Sequence, residues 1–154
     1  MNEVRIRDCL SSDLSRIKEI EDASFDDPYP YELFVTLLAD LPEGFRVAEE
    51  SNSLIVGYCI LSHSNLPTTI LISSIAVDPK FRNRGIGTEL IRDAIRVAKE
   101  LSALNPVKSI ILQVAENNPT ARDLYEKMGF QNARKIANYY GRGKHAIQIE
   151  LALD

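Results

Sequence analysis

Cysteine and tryptophan are scarce in this sequence, which has two cysteines and no tryptophan among 154 residues. Two cysteines are too few for a disulfide framework or a cysteine-rich metal cluster. Cys9 and Cys59 both stand among apolar neighbours, which predicts that they are small core residues. We therefore expect neither a disulfide scaffold nor a metal site.

Long apolar runs are missing as well. No uninterrupted run approaches the roughly 18 residues that a membrane-spanning helix requires. The opening NEVRIRDCL carries charges and lacks the apolar stretch of a signal peptide. These absences predict a cytoplasmic protein without a membrane partner.

Basic residues are also fewer than acidic ones: the sequence has 18 lysines and arginines and 22 aspartates and glutamates, which gives a net charge of -4. A protein that coats nucleic acid is usually basic, so we expect no nucleic-acid partner. A local basic site for a small anion is still compatible with this balance. The length predicts a single domain, residues 1–154, with one substantial core.

The apolar pattern predicts a strand, two helices, three strands, a helix, a strand, a helix and two strands. Ser11 or Ser12 is expected to cap the first helix, and ARKIANYY to form the sixth strand. Strands that follow one another and also alternate with helices favour an α/β fold of the α+β type. We expect a mixed, mostly antiparallel central sheet of about seven strands with helices on both faces.

The stretch DPKFRNRGIG, residues 78–87, joins a predicted strand to a helix and holds two of the seven glycines. Glycine lets the backbone approach a ligand closely, and a helix N-terminus offers free N–H groups, so this junction suits a phosphate. A turn with solvated basic residues is the simpler interpretation. A P-loop is excluded because Thr88 directly follows Gly87, and a dinucleotide fingerprint because Leu90 replaces its third glycine.

Residues 82–87, RNRGIG, match the pattern R-x-x-G-x-G and resemble the diphosphate-binding signature of the GNAT acetyltransferase superfamily. The later segment NNPTARDLYEKMGF resembles the second motif of the same superfamily, and the predicted element order is also similar. The tail ANYYGRGKHAIQIEL and the front segment FDDPYPYELF resemble those of GNAT enzymes that acetylate protein N-termini. These include the bacterial ribosomal-protein acetyltransferases, of the alanine type, and their archaeal relatives.

The resemblance implies the GNAT fold and acetyl-CoA (coenzyme A) as the cofactor. In this superfamily the strand before the glycine loop splays from the next strand, and pantetheine runs in the gap. The backbone of Ile75 and Val77 is expected to bind pantetheine and polarise the thioester carbonyl. The implied cofactor-binding residues are Ile75, Val77, Arg82, Asn83, Arg84, Gly85, Ile86, Gly87, Thr88, Asn118 and Tyr125.

Tyr125 matches the general acid of the superfamily, which protonates the departing sulfur. Its phenol has an ordinary pKa near 10, close to that of an alkyl thiol, so proton transfer is not badly mismatched. By itself, the same tyrosine is more typical of an aromatic packed on an amphipathic helix; its place inside the motif favours the general acid.

The general base is less evident, because Ser73 and Ser74 stand on the strand where many relatives carry a glutamate. Gln113 stands where some bacterial N-terminal enzymes carry one. An α-amine of pKa about 7.8 is roughly 14% neutral at pH 7, whereas a lysine near 10.4 is only about 0.04% neutral. The missing carboxylates therefore fit an α-amine better than a lysine. The candidates for a catalytic base are Asp27, Glu116 and His145, each of which also has a structural interpretation.

Four of the six tyrosines fall in the two loops that flank the substrate entrance in this superfamily. Their hydroxyls can bond a peptide backbone while the rings cover it, although packing also explains them. The implied substrate-binding residues are Asp27, Tyr29, Tyr31, Tyr139 and Tyr140. We expect acetyl transfer to the N-terminal α-amine of a protein; a small-molecule amine acetyltransferase and a non-catalytic acyl-CoA-binding module are the alternatives.

Overall fold

The computed structural model describes residues 3–103 and 105–153, whose strands form one seven-stranded sheet. The strands are β1 (Val4–Asp8), β2 (Phe45–Glu50), β3 (Ile55–His63), β4 (Thr69–Val77), β5 (Ser109–Ala115), β6 (Gln131–Ile136) and β7 (Ala146–Ala152). The α-helices are α1 (Leu14–Ser24), α2 (Tyr31–Asp40), α3 (Ile86–Leu101) and α4 (Pro119–Lys127). This order along the chain is the order that the apolar pattern predicts.

The sheet is mixed, with the strand order β1-β2-β3-β4-β5-β7-β6. Strands β4 and β5 pair in parallel, and the neighbouring strands elsewhere in the sheet pair antiparallel. A helix separates β4 from β5 in the chain, as the crossover between parallel strands requires. The predicted α+β fold with a mostly antiparallel sheet is confirmed.

Two apolar clusters cover the two faces of the sheet. Helices α1 and α2 pack on one face through residues such as Ile17 and Phe34, both at 0% exposure. Helices α3 and α4 pack on the other face through residues such as Leu90 and Tyr125. Strand β3 is buried on both sides, because its successive side chains enter alternate clusters. The sheet therefore holds helices on both faces, as predicted.

Gly57 on β3 fixes how closely α3 approaches the sheet. A Cβ atom at this position would lie 3.0 Å from the carbonyl oxygen of Ala76 and 3.2 Å from Cδ1 of Leu90. A larger residue would push α3 away from β3 and β4. This contact sets the start of α3 beside the end of β4, where the glycine loop lies.

Two local predictions are wrong. Ser11 and Ser12 do not cap α1; they lie in a 3₁₀ turn, Ser11–Asp13, whose Asp13 carboxylate accepts the N–H of Leu10 at 2.8 Å. The sixth strand ends at Ile136 and not at Tyr140, because the chain turns at Asn138, which has a φ of 56°.

The two cysteines are buried and carry free thiols, as their apolar surroundings predict: Cys9 is 6% exposed and Cys59 is 0% exposed. Burial raises the pKa of the Cys9 thiol to about 12, so it stays protonated near neutral pH. None of the helices in the described part of the chain has the length and apolar character needed to cross a membrane.

Candidate active site

Strands β4 and β5 separate partway along their length. Their parallel pairing runs from Thr69 opposite Ser109 to Leu71 opposite Ile111. Beyond that point the described residues of β4, Ile72 to Val77, have no registered partner on β5, while β5 stays paired with β7. A wedge-shaped gap therefore opens toward the carboxyl end of β4.

The backbone of β4 turns polar groups into this gap. The N–H of Asp78 points the other way and donates to Val56 on the β3 side at 2.8 Å. Because backbone groups alternate in direction along a strand, those of Val77 and Ile75 face away from β3. The sequence predicted that these two residues act through their backbone, and the structure brings their amides to one edge of the gap.

A β-bulge at Ser73 precedes these residues. Ile60 is opposite Ser74 and Leu61 is opposite Ile72, so Ser73 is an extra residue on β4. The side chains of Ser73 and Ser74 both reach the α1 side of the sheet, where they bond Ser62 and Glu21 respectively. The bulge sets the direction of the backbone through the rest of β4.

The first turn of α3 lies at the wide end of the gap. Gly85 precedes the helix with a φ of 81°, which favours glycine, and a Cβ built at Gly87 would contact Leu124 at 3.7 Å and Val77 at 4.0 Å. No side chain of the described residues caps this end, and the first N–H groups of a helix lack intrahelical acceptors. This geometry offers several N–H donors and a partial positive charge to an anion.

Arginines surround this helix end. Arg82 donates its Nε to the carbonyl oxygen of Val77 at 3.0 Å and an Nη to Ser24 on α1 at 3.2 Å. The guanidinium of Arg84 stacks over Phe81, 5.0 Å from the ring centre. Asn83 between them adopts a φ of 65°. The loop is thus ordered by its own side chains, with two positive charges beside the helix N-terminus.

Helix α4 brings Asn118 and Tyr125 to the same side of the sheet as α3. The Asn118 side chain caps α4 by accepting the N–H of Ala121 at 3.2 Å, as predicted. Tyr125 is 6% exposed, and its ring packs edge-on against Phe130 at 5.6 Å. Burial, with smaller effects of Cys59 and Tyr140, raises the pKa of the Tyr125 phenol above its ordinary value. The phenol therefore keeps its proton at neutral pH.

Two tyrosine hydroxyls bond the two strands that diverge. Tyr29, in the loop between α1 and α2, donates to the carbonyl oxygen of Ser73 on β4 at 3.2 Å. Tyr140, in the loop between β6 and β7, donates to the carbonyl oxygen of Gln113 on β5 at 3.3 Å. Burial raises the pKa of both phenols, for Tyr140 to about 12. The nearby Tyr139 also raises both pKa values, by a smaller amount. The two loops are therefore each attached to one of the two strands that border the gap.

The remaining predicted acceptor residues lie in or directly beside the same two loops. Tyr31 begins α2 and is 39% exposed, and Tyr139 packs edge-on against Tyr140 with ring centres 4.9 Å apart. Asp27 is exposed, and it makes no hydrogen bond or ion pair with any residue that the structure describes. Tyr29 and Tyr139 are thus brought near each other from two distant segments of the chain.

The other two base candidates are already engaged. An ion pair with Lys135 at 3.0 Å lowers the pKa of Glu116, which makes it a weaker base. His145 accepts the N–H of Asn138 at its Nδ1 at 3.0 Å. Glu116 follows β5 and His145 precedes β7, and a backbone hydrogen bond of 2.9 Å joins them.

Sequence reasoning missed Glu21 on α1. It is 2% exposed, and its carboxylate accepts the Ser74 hydroxyl at 2.9 Å. Its position four residues after Ile17, on the apolar stripe of α1, was the available signal. A carboxylate on a buried stripe predicts a set of specific donors, because burial without partners is costly.

Comparison with known proteins identifies the arrangement. Residues 14–130 match the Acetyltransferase (GNAT) family. The chain belongs to this family. An N-alpha-acetyltransferase of Sulfurisphaera tokodaii is 32% identical over 161 residues, which cover 98% of this chain and 94% of the relative. The resemblance inferred from the glycine loop and the second motif is confirmed.

Solved structures of GNAT proteins share the whole fold. The structure of Ard1 from Thermoplasma volcanium has a TM-score of 0.89 and 26% identity, and 98% of each chain is covered. The ribosomal-protein-S18-alanine N-acetyltransferase of Escherichia coli has a TM-score of 0.82 and 23% identity, covering 99% of this chain and 95% of the other. This GNAT chain thus shares its whole fold with both solved proteins.

Proposed function

We propose that this GNAT protein transfers an acetyl group from acetyl-CoA to the N-terminal α-amine of a protein. The observation that carries the proposal is the gap between β4 and β5, edged by backbone amides and ending at the uncapped first turn of α3. The family membership and the archaeal relative described as an N-alpha-acetyltransferase support the same activity.

Acetyl-CoA would be bound mostly by groups of the main chain. N–H groups from Gly85 to Thr88 suit the diphosphate, because the helix N-terminus adds favourable charge. Arg82 and Arg84 strengthen the positive potential there. Asn118, which ends the exposed turn before α4, would contact pantetheine, as the resemblance implies.

Transfer requires stabilisation of the charge that develops on the thioester oxygen. When bound, acetyl-CoA supplies the acetyl carbon, which forms a bond to the amine nitrogen while its bond to sulfur breaks. The amides of Ile75 and Val77 already point into the gap, so they need little reorganisation to donate to that oxygen. Tyr125, which keeps its proton at neutral pH, would donate it to the departing sulfur.

The amine would enter from the other side, between the two tyrosine loops. The rings of Tyr29, Tyr139 and Tyr140 would cover the entrance, and Tyr31 and Asp27 would lie at its rim. Asp27 is the base candidate that we favour, directly or through water, because Glu116 and His145 are engaged elsewhere. An α-amine needs little help, since a substantial fraction is neutral at pH 7.

A direct assay tests this function. The protein is incubated with acetyl-CoA and either N-terminal peptides, the same peptides blocked at the α-amine, or small amines such as polyamines. We expect free thiol to appear with the unblocked peptides, and mass spectrometry to locate the acetyl group on the α-nitrogen. Turnover confined to small amines, or binding of acetyl-CoA without any turnover, would contradict the proposal. The cytoplasmic location stays a prediction.

A further inference from the structure

Glu21 is a buried carboxylate that the proposed chemistry does not use. It lies on the last turns of α1 and faces the sheet, where it is 2% exposed. Its neighbours on this face are apolar residues of the α1–α2 cluster, including Ile17 and Ile20. A carboxylate is retained in such a place only when several donors satisfy it.

Three donors from three different elements converge on this carboxylate. The hydroxyl of Tyr58 on β3 and the hydroxyl of Ser74 on β4, the latter at 2.9 Å, bond Oε1. The backbone N–H of Tyr29, in the loop between α1 and α2, bonds Oε2 at 3.0 Å. Glu21 therefore ties the acceptor loop to the two strands beneath it.

Tyr29 connects this cluster to the gap. Its N–H is held by Glu21, its carbonyl oxygen accepts Nζ of Lys18 at 2.9 Å, and its hydroxyl reaches the carbonyl oxygen of Ser73 at 3.2 Å. Ser73 is the bulge residue, and Ser74 beside it bonds Glu21. Tyr29 is thus connected to adjacent residues of β4 in two ways: its hydroxyl bonds Ser73 directly, and its N–H bonds Glu21, which in turn bonds Ser74.

We propose that Glu21 is a positioning residue for the acceptor amine. It acts through Tyr29: its carboxylate fixes the distance between the acceptor loop and the bulge of β4, and so sets the wall that faces the gap. The inference rests on the proposed function, because it assigns that wall to the acceptor peptide. It places the effect of Glu21 on peptide binding and not on acetyl-CoA.

Two substitutions of Glu21 distinguish the effect of side-chain shape from the effect of charge. A glutamine at this position is isosteric: its carbonyl oxygen can accept the Tyr29 N–H, and its amide can donate to the hydroxyl oxygens of Tyr58 and Ser74. An aspartate keeps the charge but is one methylene shorter, so it cannot reach all three donors. A positioning role therefore ranks Glu21→Gln above Glu21→Asp, and a proton-accepting role ranks them in the opposite order.

Steady-state kinetics and calorimetry measure this ranking. We expect Glu21→Gln to stay within about threefold of wild type in kcat/KM for the peptide, and Glu21→Asp to lose about tenfold or more, mainly through KM. The dissociation constant of acetyl-CoA should be unchanged in both. Glu19→Gln, a matched charge removal on the exposed face of α1, should behave as wild type. Greater loss in the glutamine variant, or equal loss of peptide and cofactor binding, would overturn the inference.

Hydrogen exchange gives a readout that does not depend on turnover. The Tyr29 amide should exchange about tenfold faster in Glu21→Asp than in wild type, and near the wild-type rate in Glu21→Gln. If wild type acetylates no amine, the proposed function fails, and the exchange rates still decide whether Glu21 fixes this loop. Unchanged Tyr29 exchange in Glu21→Asp would refute the positioning role.

Discussion

The two sides of the gap differ in whether backbone groups or side chains make the contacts. On the side of α3, the groups that face the gap are backbone amides of β4 and of the first helical turn. On the side of the tyrosine loops, the contacts are made by side chains: the hydroxyls of Tyr29 and Tyr140 and the carboxylate of Glu21. A site built from backbone depends on chain conformation, whereas a site built from side chains depends on single functional groups.

Tyr125 lies on the first side, but its proposed role depends on its side chain, so its removal should have the largest effect. Tyr125→Phe keeps the ring that packs against Phe130 and removes the proton donor. We expect kcat to fall roughly 100-fold or more, because general acid catalysis contributes on this scale. Stopped assays of thiol release, with calorimetry for acetyl-CoA, measure this. Wild-type turnover in the variant would assign Tyr125 to packing alone.

Substitutions of two glycines, one on each side of the gap, allow a direct comparison of the sides, because both glycines have a positive φ and open surroundings. Gly85 precedes α3 with a φ of 81°, and Gly143 lies in the loop between β6 and β7 with a φ of 76°; neither would place a Cβ within 4 Å of another group. The Cβ atom of valine therefore meets no neighbour at either position, whereas the left-handed backbone conformation costs about 1–2 kcal/mol or more for such a residue.

Gly85→Val should weaken acetyl-CoA binding by about tenfold or more, since each 1.4 kcal/mol is a factor of ten. Gly143→Val should leave acetyl-CoA binding intact and raise the peptide KM instead. Calorimetry with coenzyme A and steady-state kinetics with a peptide separate the two constants. Equal effects of both variants on both constants would remove the distinction between the sides.

Tyr140→Phe tests the side-chain contacts. The variant retains the ring beside Tyr139 and loses the hydroxyl that bonds Gln113. We expect the peptide KM to rise about threefold to tenfold, the value of one hydrogen bond, with acetyl-CoA binding as the internal control. A change in cofactor affinity of the same size would mean that this loop serves both ligands.

Asp78 should give the smallest effect, on stability. Burial alone would raise its pKa, but the Lys80 N–H and the Arg16 guanidinium outweigh this and lower it. Its contribution is therefore present above the unfolded pKa near 3.9 and is lost as pH falls through the lower folded pKa. Asp78→Asn should cost about 1 kcal/mol in urea unfolding at pH 7. That cost should vanish toward pH 2, and a constant difference would contradict it.

The α3 side of the gap was predictable from sequence, because the sequence patterns that indicate it are local. The apolar stripe of α3, the two glycines before it and the cap residue Asn118 all lie within short stretches, and each pattern has a direct conformational meaning. The family resemblance depends on the same stretches. The failures also have local causes: alternation in ARKIANYY continues past Ile136, where Asn138 turns the chain.

The second side was predictable only in part. The tyrosines were identified from the resemblance, but their partners were not, since Tyr29 and Ser73 are 44 residues apart and Tyr140 and Gln113 are 27 apart. Glu21 and Ser74 are 53 residues apart. A short stretch of sequence does not show which strand a buried carboxylate will contact.

By itself, the sequence determined the element order, the α+β class and the glycine turn that begins α3, because periodicity and backbone preference act between near neighbours. Only the tertiary structure decided where β4 leaves β5, where Ser73 bulges, and which donors gather around Glu21. Those features depend on strand register and on helices packing from opposite faces, and both are set by the whole sheet at once.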